Sequence, residues 1–158
     1  MNQSITFSVN LKKLKIFAEK LAEKSKISDI ILLQGEIGTG KTTFARFFIN
    51  ALYRNLKLPI PYNIKSPSFP IMISYDLKKY EVYHYDLFRL KKSEEINELN
   101  LFENIMYNIT IIEWPNILMK KLKKINYYCI QFSFIDCDTR KLKLNHSSNI
   151  IKYFKSWK

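Results

Sequence analysis

Residues 35 to 42 read Gly-Glu-Ile-Gly-Thr-Gly-Lys-Thr, and they hold all three glycines of the 158-residue chain. The octet satisfies GxxxxGK[ST] without a mismatch. Backbone N–H groups of such a loop converge on a phosphate, and the N-terminus of a following helix adds the positive end of its dipole. Glycine permits the positive φ angles of that wrap and puts no side chain in the way. The candidate nucleotide contacts therefore run through Gly35, Glu36, Ile37, Gly38, Thr39, Gly40, Lys41, Thr42 and Thr43. Lys41 is expected to reach the β- and γ-phosphates, and Thr42 to place its hydroxyl on Mg²⁺.

A phosphate loop that does chemistry also needs an acid near the metal. Asp86 follows the stretch VYHY and Glu113 follows ITII, so both emerge where an apolar strand meets a loop. In open α/β sheets ligands sit there. Octahedral Mg²⁺ needs oxygen ligands beyond one hydroxyl, which makes Thr42, Asp86 and Glu113 the candidate metal set. With Lys41, the same two acids are the candidate catalytic groups, one of them orienting the attacking water; the residues alone leave open which. His84 reads either as a base or as a packed, hydrogen-bonded strand residue. Trp114 reads either as core or as an interface anchor.

Those side chains need elements to hold them. DIILLQ, residues 29 to 34, is a continuous apolar run of strand length, and KTTFARFFINALY after the loop reads as a helix buried on most sides. Strand, glycine loop and helix is the order a phosphate loop requires. Upstream, ITFSV alternates as a strand, and Asn10 can cap a helix whose stripe is Leu11, Leu14, Phe17, Ala18 and Leu21. Pro59, Pro61, Pro67 and Pro70 make residues 55 to 70 a loop. IMISYDL and EVYHYDLFRL read as two strands of a hairpin, SEEINELNLFENI as a helix capped by Ser93, and ITIIEW as a strand ended by Pro115. YYCIQFSFI and KLKLN, joined at DCDTR, form a closing hairpin. The reading is a single α/β domain over residues 1–158, a P-loop NTPase-like fold with a mixed central sheet flanked by helices and a C-terminal hairpin.

Composition sets limits on the partners. A net charge of +12 and a pI near 9.6 suit a polyanionic partner. The excess is almost all lysine, amid abundant Ile, Asn, Tyr and Phe, and mutational pressure toward A+T-rich codons is a competing source of it. No apolar stretch approaches the roughly 18 residues of a membrane span, and the N-terminus lacks a signal-peptide pattern. Cys129 and Cys137 have neither CxxC spacing nor clustered histidines, which argues against a metal or disulfide framework and suits a reducing cytosol.

Several nucleotide machines are excluded or weakened. A GTPase D-x-x-G needs a glycine after Gly40, and there is none. No N-K-x-D guanine motif occurs. A small-molecule kinase usually closes an arginine-bearing lid over its phosphates, and the arginines after the loop are few and scattered.

The blocks GEIGTGKTTFAR, NIKSPSF, VYHYDLFRL and IIEWP occur in the order and at the spacing of the TsaE (YjeE) family, small bacterial ATPases of tRNA threonylcarbamoyladenosine synthesis, which the chain resembles over roughly residues 5 to 145. The resemblance implies a compact, monomeric, cytoplasmic P-loop protein that binds ATP and Mg²⁺ and hydrolyses ATP feebly alone. It implies partnership with TsaD and TsaB, where TsaD makes the transfer to the adenosine beside the anticodon in tRNAs reading codons that begin with A. The ATP cycle then resets or regulates TsaD, and tRNA is met indirectly through the complex. By the same resemblance Lys65, Ser66, Pro67 and Ser68 are a nucleotide-sensing, switch-like segment, and Thr6, Ser8 and Arg140 lie near elements that flank the base. Three positions depart from the family pattern: Pro70 for a threonine, Asn100 for a glycine after the acidic helix, and Phe47 for a glycine in the loop's helix. A small-molecule phosphotransferase and a non-catalytic RNA-binding module are the alternative readings.

Overall fold

Ile30–Leu33 and Ile109–Ile112 are runs of four residues with almost nothing polar, and such a run can be buried on both sides only in the middle of a sheet. That is where the computed structural model of the chain, which describes residues 3–146 and 153–154, holds them. The strands are β1 (Gln3–Val9), β2 (Ile30–Gln34), β3 (Met72–Asp76), β4 (Glu81–Asp86), β5 (Ile109–Glu113), β6 (Tyr128–Phe134) and β7 (Arg140–His146). The helices are α1 (Leu11–Lys24), α2 (Lys41–Asn55) and α3 (Leu101–Tyr107). The sheet runs β1-β7-β6-β2-β5-β4-β3. Its centre, β6-β2-β5-β4, is parallel, while β3-β4, β6-β7 and β1-β7 pair antiparallel. This is the α/β, mixed-sheet, P-loop-like architecture expected, with its C-terminal hairpin in place. Residues 1–2, 147–152 and 155–158 of the expected 1–158 span lie outside the described residues.

One face carries α1 and α2. Leu14, Phe17, Leu21, Phe44 and Phe48 close over Ile31, Leu33, Ile111, Ile130 and Leu142 in one continuous core. Each such side chain contributes about 1.5–3 kcal/mol by leaving water. Asn10 caps α1 as expected, its Oδ1 accepting from the Lys13 N–H at 2.9 Å. Leu11 was expected in the buried stripe but is exposed, because it stands in the first turn at the mouth of the glycine loop. The other face is covered only in part. Ile96, Leu101, Ile105, Leu118 and Leu122 pack on Ile30, Leu32 and Ile112.

The acidic segment differs from expectation. It is not one helix: a 3-10 turn over Glu95–Leu99 and α3 are separated by Asn100 at φ 48°, ψ 26°. Asparagine tolerates this left-handed geometry, and a bend there turns both pieces onto the sheet. Nor does Ser93 cap it. Glu95 Oε1 accepts from the N–H groups of Lys91 and Lys92 instead, at 3.1 and 2.8 Å. Pro70, at the end of the expected loop, lies in a turn two residues before β3, so it withholds no donor from the ladder.

For the site, the decisive property is direction. Because β2, β4 and β5 are parallel, their C-terminal ends fall at one edge, and that edge receives the glycine loop, Asp86 and Glu113 together.

Candidate functional site

The glycine loop joins β2 to α2, and its first residue shows why the side chain is missing. Gly35 has φ 142°, and a Cβ there would lie 2.5 Å from the Phe132 carbonyl oxygen on β6. Gly40, at φ 106°, is the N-cap of α2 and offers no side-chain acceptor to the first-turn N–H groups. Those donors therefore face the loop's hollow, ready for an anion. Thr39 is fully buried and spends its hydroxyl on the Glu36 carbonyl at 2.8 Å, bracing the loop.

Lys41 folds back over this hollow. Its Nζ donates to the carbonyls of Gly35 and Glu36 at 2.8 and 2.7 Å and lies 4.1 Å from the centroid of the Trp114 ring. Burial pushes its pKa below the ordinary lysine value, with Glu113 and Asp86 pulling the other way. The cation is thus held among weak acceptors, which a phosphate would outbid.

Asp86 and Glu113 end adjacent strands and pair in register. On Glu113, which is almost fully buried, two donors converge: the Thr42 hydroxyl, 2.9 and 3.1 Å from the two carboxylate oxygens, and His84 Nε2 at 2.9 Å from Oε1. Asp86 accepts from the Ser68 hydroxyl at 3.0 Å and from the Phe88 N–H at 3.1 Å, and Ser68 is 2.6 Å from Ser66. The carboxylates are thereby oriented from opposite sides. A cavity of about 290 Å³ between them is lined by Lys41, Thr42, Ser66, Ser68, Asp86 and Glu113, closed by Phe88, Arg89 and Trp114. A second hollow of about 570 Å³ opens on the far side of Glu36 and Ile37, against Trp114 and Asn116.

The donor set can be tested against Mg²⁺. Among the described residues no three His, Cys, Asp or Glu side chains converge on one point. Two carboxylates and one hydroxyl remain. That sparse, all-oxygen set fits Mg²⁺, which keeps waters and takes phosphate oxygens to complete its shell.

Most of the candidates named from sequence meet here, and a few do not. In the Lys65–Ser68 segment, Ser66 and Ser68 line the cavity, Pro67 is buried and Lys65 points to solvent. The segment is tethered just upstream, where Arg46 Nε donates to the carbonyl of buried Ile64 at 2.8 Å. Thr43 and Arg140 border a separate hollow of about 210 Å³ beside Gly38 and Gly40. The Arg140 guanidinium is committed to the carbonyls of Asp136, Cys137 and Thr139, at 2.9 to 3.1 Å. Thr6 and Ser8 are exposed on the outer side of β1 and line none of these hollows.

Sequence leaves His84 and Trp114 each between two readings and does not single out Phe88 or Arg89. Of the two readings of His84, the structure supports the packed, hydrogen-bonded strand residue: it is fully buried and holds Glu113, and its position two before Asp86 puts it on the same face of β4. Trp114 is neither simple core nor a surface anchor: it roofs Lys41 in a left-handed conformation, φ 57°. Phe88 packs against it with the rings tilted by 51° and their centroids 4.8 Å apart, and Arg89 follows at the cavity rim, over the Phe69 ring.

The family model described as "Threonylcarbamoyl adenosine biosynthesis protein TsaE" matches residues 8–142. The tRNA threonylcarbamoyladenosine biosynthesis protein TsaE of Rickettsia prowazekii is 39% identical over 107 residues, 68% of this chain and 71% of that one. The Rickettsia bellii protein of the same name is 36% identical over 126 residues, covering 80% and 83%. The crystal structure of Bacillus subtilis YdiB superposes with a TM-score of 0.71 at 22% identity, over 99% of this chain and 94% of that one, a likeness of fold.

Proposed function

The chain belongs to the TsaE family of threonylcarbamoyladenosine biosynthesis, and from that premise we propose that it is a Mg²⁺-dependent ATPase, slow on its own, that acts with TsaD and TsaB. In this reading it regulates or resets TsaD and does not itself transfer the threonylcarbamoyl group. The substrates of the complex are tRNAs reading codons that begin with A, and the protein works in the cytoplasm as a monomer until it meets its partners. No helix among the described residues is long and apolar enough to cross a membrane.

The observation that carries the reading is the convergence of Lys41, Thr42, Asp86 and Glu113 around one cavity at the glycine loop. Lys41 leaves the Gly35 and Glu36 carbonyls for the β- and γ-phosphates. Thr42, which donates its proton to Glu113, would hold Mg²⁺ through its hydroxyl oxygen. Asp86, steadied by Ser68, stands as the second acid. Bound Mg²⁺ would supply neutralisation of the phosphate charge that develops on transfer. Of the two acids Glu113 is the better placed to orient the attacking water, because Thr42 and His84 fix both of its oxygens. The Ser66–Pro67–Ser68 segment joins the cavity to the surface, and its bond to Asp86 is the contact through which a nucleotide would be felt outside.

The test is a pull-down with purified TsaD–TsaB, with and without ATP, alongside phosphate release by the protein alone. Association together with slow, Mg²⁺-dependent release supports the proposal. Phosphate transfer to a metabolite hydroxyl, with no association, would replace it by the small-molecule kinase reading.

A further inference from the structure

The charge is not spread evenly. Residues 1–113 carry sixteen lysines and arginines against twelve acids, whereas residues 114–158 carry ten against two. Codon pressure acts along a whole gene and does not gather an excess into its last third.

Strand register shows how part of that excess is displayed. α1 and α2 cover one face of β1, β7 and β6; on the other face the described residues put no α-helix over these strands, and at the start of β6 only Cys129 is buried into the second core. Side chains on the open face form rows across the three strands. Ser8, Lys141 and Ser133 make one row, and Thr6, Lys143 and Gln131 make the next. All six are exposed. A third row, Ser4, Asn145 and Cys129, leads to a hollow of about 420 Å³ that Lys123, Lys124 and Tyr127 border. None of the nine row positions is acidic. Each lysine is thus flanked by hydrogen-bond donors on both sides, and the two lysines stand about 7 Å apart along β7.

We propose that this open β1–β7–β6 face binds the phosphodiester backbone of RNA, directly and independently of the nucleotide site. Row for row, a cation between neutral donors is what a chain of phosphates requires: charge for affinity, and hydroxyl or amide hydrogens for register. The rows hold no aromatic side chain on which bases could stack, so the face reads backbone and not sequence. RNA is favoured over an acidic protein because the chain's relatives are tRNA threonylcarbamoyladenosine biosynthesis proteins, whose pathway acts on a polyanion, and because the face offers no apolar anchor of the kind protein interfaces use. Thr6 and Ser8, expected near elements that flank the nucleotide base, lie on this surface.

The test uses the full chain and a fluorescently labelled, unmodified tRNA transcript, with affinity read by anisotropy over a range of salt. Lys141→Gln/Lys143→Gln removes the central cations from an exposed face. Lys78→Gln/Lys79→Gln removes the same charge from the β3–β4 turn at the opposite edge of the sheet. Wild-type binding should weaken steeply with salt, each phosphate contact adding about 0.7–0.9 to the slope of log affinity against log salt. The face variant should bind about tenfold or more weakly and lose one to two contacts' worth of slope, while the turn variant stays near wild type. ATP binding, unchanged in both, would confirm that the fold is intact. The proposal is overturned if the wild type does not bind the transcript, or if the two variants weaken it equally. It is overturned too if the face variant loses a protein partner but keeps the RNA.

Discussion

The Thr42 hydroxyl and the Glu113 carboxylate, 71 residues apart in the chain, meet at 2.9 Å because β2 and β5 are adjacent and parallel and Leu33 pairs with Glu113. The bond ties the first turn of α2 to the end of β5. If Glu113 orients the water and holds Thr42 toward the metal, Glu113→Gln should keep the hydrogen bonds approximately in place and remove the charge. ATP affinity should change less than threefold, while phosphate release falls by about 10²–10⁴. Titration by Trp114 fluorescence beside a steady-state release assay separates the two; unchanged turnover would take Glu113 out of the mechanism.

His84 is buried with Nε2 on Glu113, and its Nδ1 has no partner among the described residues. A neutral ring with its proton on Nε2 accounts for both, since a bare acceptor costs less when buried than a stranded N–H. The ring therefore acts as a strut. His84→Leu should reduce turnover about tenfold with little change in ATP affinity and lower stability by about 1–3 kcal/mol, the cost of stripping a donor from a buried carboxylate. Partial recovery of turnover in His84→Gln, which can still donate, would distinguish the strut from mere packing.

How far these contacts can be read in advance depends on how local their causes are. The glycine loop was legible because its demand is on the backbone, and Gly35 and Gly40 adopt angles that other residues avoid. Strand-end acids were legible because an apolar run ends visibly. The break at Asn100 was only half legible: the residue type permitted a left-handed cap, but the choice between one helix and two short pieces was made by the sheet beneath. Trp114 and His84 were ambiguous because their roles depend on which strands become neighbours, and the parallel pairing of β4 with β5 has no signature in either strand. The open face of β1, β7 and β6 is of the same kind, a property of register.

Lys41 gives the molecule a pH dependence of its own. Burial holds its pKa in the nucleotide-free fold below 10.5, the unfolded value. Between the two values the unfolded chain binds more protons, so this residue's contribution makes stability rise as pH increases through the folded pKa toward 10.5. Lys41→Met should erase that rise. Denaturant titrations of the two proteins from pH 7 to 10 should show a difference in stability that changes with pH in this direction, and a constant difference would contradict it. At neutral pH the variant should bind ATP at least tenfold more weakly, having lost the cation that faces the phosphates.

The two thiols should separate by reactivity. Cys129 is buried on β6, burial pushes its pKa up to about 11, and its Sγ–H donates to Gln34 Oε1. Cys137 is exposed in the β6–β7 turn, at the hollow beside Gly38 and Gly40. Since the thiolate is the nucleophile, a thiol reagent at pH 8 should modify one cysteine per native chain, and the second only in denaturant. Peptide mapping should place the fast label on Cys137. Two fast thiols would mean that the start of β6 opens far more readily than its buried ladder implies.

Substituting the loop's glycines should divide backbone strain from steric collision. At Gly40 an added Cβ would stand 3.6 Å from Leu14 Cδ2, an ordinary contact, so the cost of Gly40→Ala is the φ of 106° alone, about 1–3 kcal/mol. At Gly35 the φ is 142° and the Cβ would come within 2.5 Å of the Phe132 carbonyl oxygen, a backbone atom of β6, a strand paired on both sides by β2 and β7. It cannot step aside as a side chain would. Gly35→Ala must therefore shift the loop or the strand, and its melting temperature should fall further than that of Gly40→Ala. Both variants should lose ATP affinity, Gly40→Ala because the first turn of α2 no longer aims its donors, Gly35→Ala because the whole loop has moved. Equal melting temperatures for the two would show that β6 yields at Phe132, and that the loop is held by its own hydrogen bonds more than by the sheet.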